Sequence, residues 1–128
     1  MPAAIDRRLS TALIGTGKVA HTHAAALATL PESRFVAVFD RDRARAEAFA
    51  NRYGVRPFWD LDAMLGSSGA VAATVCTPHP THPDMAVACA DAGVNVLVEK
   101  PLAVDVVGAV RVIEAARRGG VSVGVVSQ

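Results

Sequence analysis

A short apolar run, Ala12-Leu13-Ile14, breaks into Gly15-Thr16-Gly17, and a helical pattern begins at once with Lys18-Val19-Ala20. Few folds join a buried strand to a helix through so tight a turn. Gly15 permits the turn at the strand end, and Gly17 has no Cβ to hold a bulky anion away from the backbone. Ala20 is small enough for the helix to pack closely on the strand it follows. The free N–H groups around Lys18 and Val19 then face outward at the positive end of the helix dipole. The spacing Gly-x-Gly-x-x-Ala, between strand and helix, is that of a dinucleotide-binding turn. Gly15, Thr16, Gly17, Lys18 and Val19 are therefore candidate cofactor-binding residues.

The rest of the chain repeats the strand–helix unit. Strands are expected at Leu9–Ile14, Arg34–Phe39, Arg56–Phe58, Ala70–Cys76, Asn95–Val98 and Val121–Val126. Helices are expected at Lys18–Leu30, Arg41–Tyr53, Leu61–Leu65, Thr81–Ala92 and Val106–Arg118, the last capped by Asp105 and ended by Gly119-Gly120. The strands are runs of β-branched and apolar residues rather than alternating ones, the pattern of a sheet covered by helices on both faces. Short links between alternating elements imply right-handed crossovers and a parallel sheet. With the glycine turn after the first strand, the predicted fold is α/β. It is a doubly wound parallel sheet (Rossmann fold) with strand order 3-2-1-4-5-6, in one domain over residues 1–128.

Composition narrows the partners. The 128 residues carry a formal net charge of +1 and no basic block, and aromatics make up 5%. Neither nucleic acid nor an anionic membrane surface is favoured by such a chain. No apolar run has the length of a bilayer span or of a signal-peptide core. Cys76 and Cys89 lie in apolar surroundings without Cys-x-x-Cys spacing, as buried thiols of a reducing compartment do. A cytoplasmic protein is expected.

Other candidates follow the strand ends. Asp40 closes the second strand, where a carboxylate can accept hydrogen bonds from both ribose hydroxyls of an adenosine, favouring NAD over NADP. It is also placed to cap the following helix, as is Asp42. Arg41 can lie over the adenine face or clamp a 2′-phosphate, whereas Arg43 and Arg45 read as helix-surface charges. Cys76-Thr77-Pro78-His79-Pro80-Thr81-His82 follows the fourth strand, at the crevice where the sheet order reverses. His79 and His82, with His21 and His23, lack metal-ligand spacing, so no metal site is expected; His21 and His23 read as polar-face or partly buried helix residues. Glu99-Lys100-Pro101 follows the fifth strand. A lysine there can polarise a substrate oxygen during hydride transfer, or pair with a neighbouring carboxylate on the surface.

Taken together, Gly15–Ala20, Val38-Phe39-Asp40-Arg41, Cys76-Thr77-Pro78 with His82, and Gly93–Leu102 with its Glu99-Lys100-Pro101 run resemble one family. It is the N-terminal domain of the glucose-fructose oxidoreductase / inositol dehydrogenase / MocA-like oxidoreductases. The resemblance runs from about Leu9 to Gln128. It implies hydride transfer at a sugar, cyclitol or related polyol hydroxyl, with Lys100 as the catalytic residue near the reacting oxygen and a cis Lys100–Pro101 peptide. It also implies that Thr77, Pro78 and His82 line the cofactor groove together with Glu99 and Lys100, and that Gln128 lies near the nicotinamide.

Members of that family continue into a second α/β domain that supplies most of the substrate pocket and the oligomer interface. This chain stops where the crossover into it is expected to begin, so by itself it is expected to be catalytically incomplete. Its expected partners are the dinucleotide, a sugar or polyol once a second domain is supplied, and further copies of itself in a homo-oligomer. The alternative function is a stand-alone dinucleotide-binding module or sensor without activity of its own.

Overall fold

The computed structural model describes residues 5–127. Six strands form one sheet: β1 (Leu9–Ile14), β2 (Ser33–Phe39), β3 (Arg56–Phe58), β4 (Ala72–Val75), β5 (Asn95–Val98) and β6 (Val123–Val125). Their order is β3-β2-β1-β4-β5-β6 and every pairing is parallel. The helices are α1 (Lys18–Thr29), α2 (Arg43–Tyr53), α3 (Leu61–Ser67), α4 (His82–Asp91) and α5 (Val106–Gly119), and a 3₁₀ turn (His79–Thr81) precedes α4. The doubly wound fold expected from the sequence is the fold observed.

Aspartates begin three of the helices. Asp42 Oδ1 accepts the Arg45 N–H at the start of α2, and Asp60 Oδ1 those of Asp62 and Ala63 at α3. Asp105 Oδ1 accepts the Gly108 N–H at α5. Each satisfies backbone donors that the first helical turn leaves free. Helix α2 therefore starts at Arg43, two residues later than expected, because Asp42 and not Asp40 is its cap.

Alternate residues of the central strands enter two cores. Leu13 and Val38 pack with Ala20, Ala24, Phe49 and Ala50 beneath α1 and α2. Ala12, Ile14, Ala37, Phe39, Val75, Val96 and Val98 pack with Met64, Ala86 and Val112 on the opposite face. Double coverage holds for β1 but not for the whole sheet. Along β5 burial alternates, Val96 and Val98 being buried and Leu97 38% exposed. Helices α1 and α2 return toward β2 and β3, while right-handed crossovers put α4 and α5 on the other face. A shallow hollow of about 390 Å³, lined by Leu27, Ala72, Thr74, Leu97 and Gly124, marks the half-face on which no helix of the described residues packs.

Register decides what lies at the carboxyl edge. Ile14 pairs with Phe39 and Val75, and Val75 with Val98. The next residues, Gly15, Asp40, Cys76 and Glu99, consequently stand side by side. The ladder runs on through them: Gly15 N–H donates to Phe39 O at 2.8 Å, Cys76 N–H to Ile14 O at 2.7 Å and Glu99 N–H to Val75 O at 2.9 Å.

Candidate functional site

The glycine turn sits at the centre of this edge, where β1 has neighbours on both sides and the strand order reverses. Gly15 has φ +109°, and a Cβ there would meet Cys76 O at 2.8 Å. Only glycine combines that backbone angle with so close an approach. Gly17 is different. Its φ is −74°, which any residue adopts, and a Cβ built on it meets nothing within 4 Å. The space above Gly17 is open on the side that a side chain would fill. Helix α1 begins here with no side-chain cap and no acidic residue in its first turn. Exposed Lys18 and Val19 flank these free donors. An open cradle, uncapped N–H groups and a helix dipole suit a pyrophosphate, so the turn fits the dinucleotide that its spacing implies.

Asp40 stands next to this turn. Its Oδ2 accepts from Thr16 Oγ1 at 2.5 Å and its Oδ1 from the Asp42 N–H at 2.8 Å. Arg45 Nε lies 3.9 Å from Oδ2, so this arginine, expected only as a surface charge, bears on the carboxylate. Arg41 is exposed beside it. Arg43 turns away, pairing with Glu47 at 2.7 Å and lying 4.3 Å from the Trp59 ring centroid.

Across the crevice, Thr77 and Pro78 lead from β4 into the 3₁₀ turn. Thr81 Oγ1 donates to Thr77 Oγ1 at 2.7 Å and closes the loop on itself. His82 is corrected by the structure. Its side chain is fully buried, with Nδ1 2.7 Å from Pro101 O and Nε2 2.7 Å from Thr77 O. It presents no atom to a groove and lies beneath the loops instead. Glu99 and Lys100 follow β5, Lys100 being exposed, and the Lys100–Pro101 peptide is cis. Gln128 lies outside the described residues.

His23 is the residue whose part the sequence did not reveal. It projects from α1 to Glu99, with Nε2 2.6 Å from Oε2 and both side chains mostly buried. The available signal is its position three residues after Ala20, on the sheet-facing stripe of α1. His21 instead bonds Tyr53 Oη at 2.7 Å, beside Phe49. Cys76, at the edge itself, is an inert group: burial first, and the Glu99 charge second, push its thiol up to about 12.

Residues 9–127 match a family model described as an oxidoreductase family with an NAD-binding Rossmann fold, the GFO_IDH_MocA family. The chain is 34% identical over 119 residues to inositol 2-dehydrogenase of Acidothermus cellulolyticus, which covers 91% of this chain and 35% of that protein. It is 37% identical over 93 residues to inositol 2-dehydrogenase of Rhizobium meliloti, covering 73% of this chain and 28% of that one. Among solved structures, the WlbA dehydrogenase of Bordetella pertussis in complex with NADH and UDP-GlcNAcA superposes with a TM-score of 0.89. That likeness carries 30% identity, over 94% of this chain and 37% of the other. The chain thus spans about a third of the length of these relatives. It belongs to the GFO_IDH_MocA oxidoreductase family, as an NAD-binding Rossmann domain.

Proposed function

We propose that residues 1–128 form the cofactor-holding part of an NAD-dependent oxidoreductase acting on a hydroxyl of a sugar, cyclitol or related polyol. The observation that carries this reading is the convergence at one sheet edge. An open glycine turn, a carboxylate held for a ribose, the Thr77–Pro78 loop and Lys100 all follow strands in mutual register. NAD, when bound, supplies the group that takes or gives the hydride.

The protein's own residues do the rest. Gly15 and Gly17 shape the phosphate cradle, with the N–H groups at Lys18 and Val19 as its donors. Asp40 accepts from ribose hydroxyls, with Thr16 fixing its orientation and Arg41 beside it. Thr77, Pro78 and Glu99 border the groove. Lys100 is the catalytic residue, donating a hydrogen bond to the substrate oxygen or moving its proton as the carbon changes oxidation state. The substrate class follows the inositol and sugar-nucleotide dehydrogenases to which the chain is similar.

Alone, this chain is expected to hold NADH yet turn over slowly, because positioning the reacting carbon supplies about 7–11 kcal/mol of barrier reduction and needs walls on the substrate. A titration followed by NADH fluorescence, beside an oxidation screen of polyols and sugars with wild type and Lys100→Met, tests both parts. Saturable NADH binding supports the reading. Absence of NADH binding by the folded chain overturns it, and any turnover that survives Lys100→Met removes Lys100 from its role.

A further inference from the structure

Lys100 has no side-chain partner among the described hydrogen bonds, yet the residues on either side of it are tied down by different elements. Glu99 is held from α1, through His23 Nε2 at 2.6 Å from its Oε2. Pro101 is held from α4, through His82 Nδ1 at 2.7 Å from its carbonyl oxygen. The two histidines reach the loop from opposite sides of the sheet, since α1 packs on the β1–β2 half of one face and α4 on β4 and β5 of the other. Their side chains are largely withdrawn from water: His23 is 18% exposed, Glu99 13% and His82 fully buried.

We infer that His23 and His82 are positioning residues that bracket Lys100. Together they hold the residues on either side of it, Glu99 by its side chain and Pro101 by its carbonyl oxygen. This rests on the reading of Lys100 as the catalytic residue.

The chemistry of each bracket suits that task. A carboxylate accepting from an imidazole N–H at this distance makes a charge-assisted hydrogen bond, about twice as strong as a neutral one. Glu99 follows a strand residue locked in the ladder, so fixing its side chain leaves little play at its backbone. His82 does more, because its two nitrogens face two different loops. Nε2 lies 2.7 Å from Thr77 O after β4, and Nδ1 the same distance from Pro101 O after β5. The ring so sits between the Thr77 loop and the Lys100 loop across the crevice, and movement of one is transmitted to the other.

His82 has both ring nitrogens turned toward the protein, and what it presents to the crevice is the position of its neighbours.

The inference is tested on ¹⁵N-labelled chain with His23→Leu, His82→Leu and the conservative His23→Gln and His82→Gln. Backbone relaxation reads order at Lys100 and Leu102, and fluorescence titration reads NADH affinity. Each Leu variant is expected to lower the order parameter at Lys100 and Leu102 from about 0.85 to below about 0.6, with the other strands unchanged. NADH affinity should fall about tenfold, the equivalent of one charge-assisted hydrogen bond. The Gln variants, which keep an N–H donor, should recover much of both.

Unchanged order at Lys100 in His23→Leu and His82→Leu overturns the bracket. So does loss of order spread over the whole sheet without rescue by Gln. Should His82→Leu fail to fold, His23→Leu and His23→Gln decide the question, the pair being at the rim. If wild type binds no NADH, the proposed function fails while the order parameters still judge the bracket.

Discussion

Thr16 Oγ1 donates to Asp40 Oδ2 at 2.5 Å, joining the middle residue of the glycine turn to the carboxylate that ends β2. The second oxygen of Asp40 accepts the Asp42 N–H, so the group is held in one orientation from two directions. A carboxylate has about four lone-pair sites, which leaves capacity for ribose hydroxyls. Such bonds are worth about 1.5–3 kcal/mol, or roughly 10- to 150-fold in affinity. NAD is therefore expected to bind more tightly than NADP, with the gap narrowing in Asp40→Ala and, more modestly, in Thr16→Val. Titration calorimetry with both cofactors checks this. Equal or tighter NADP binding by wild type would mean that Arg41 and Arg45 outweigh Asp40.

Gly15 and Gly17 are expected to fail in different ways. In Gly15→Ala the new methyl meets backbone at 2.8 Å on a φ of +109°, so the turn cannot close as it is. A melting-temperature loss of many degrees should follow. In Gly17→Ala the methyl enters open space at an ordinary φ, and stability should change by under about 1 kcal/mol. NADH binding should nevertheless be lost, because the methyl occupies the cradle. A stable Gly17→Ala that binds NADH as wild type does would show that the phosphates lie elsewhere.

The two thiols should be silent until the protein unfolds. Burial pushes Cys89 up to about 12, and burial with the nearby Glu99 charge does the same to Cys76. Against an ordinary value of 9.0 the thiolate fraction at neutral pH is lower by about a thousandfold. Alkylation by iodoacetamide should be slow in buffer and rapid in urea. Fast labelling of either cysteine in the native state would contradict the packing.

The same groups set an alkaline limit. Unfolded thiols release protons near 9.0, while the folded ones keep theirs to about 12. Between those values the unfolded state binds fewer protons, so stability falls as pH rises. The slope from Cys89 is at most about 1.4 kcal/mol per pH unit. Urea midpoints at pH 7, 9 and 10 for wild type and Cys89→Ala should diverge in slope above pH 9. Parallel slopes would remove Cys89 from the alkaline transition.

Asp105 offers a test of local stability away from the crevice. Its Oδ1 accepts the Gly108 N–H at 2.7 Å and begins α5. Asp105→Ala should cost about 1 kcal/mol, a few degrees in melting temperature, and leave NADH binding unchanged. Loss of binding in this variant would show that α5 bears on the cofactor edge.

What the sequence determined by itself is what short-range physics governs. Gly15 at a strand end, aspartates before helices and glycines after them act within three or four residues, so Leu9–Ile14 and Asn95–Val98 were legible to the residue. The order of the sheet followed from those elements, because right-handed crossovers admit few alternatives. The glycine turn and the strand-end candidates followed in turn.

Tertiary structure alone decided how side chains meet across the sheet. His23 and Glu99 are 76 residues apart, and their contact depends on the rotation of α1 and the register of β5 together. His82 read as a groove residue because it follows Thr77 and Pro78, yet the start of α4 turns its ring inward between two carbonyls. Asp40 and Asp42 were equal candidates for one cap until the Thr16 hydroxyl claimed Asp40. Leu97 lies in an apolar run that reads as fully buried, and it is exposed because no helix of the described residues packs on that half-face. A local pattern records which residues avoid water. It does not record which neighbour they meet, because that neighbour is set by strand register and helix packing acting over the whole domain.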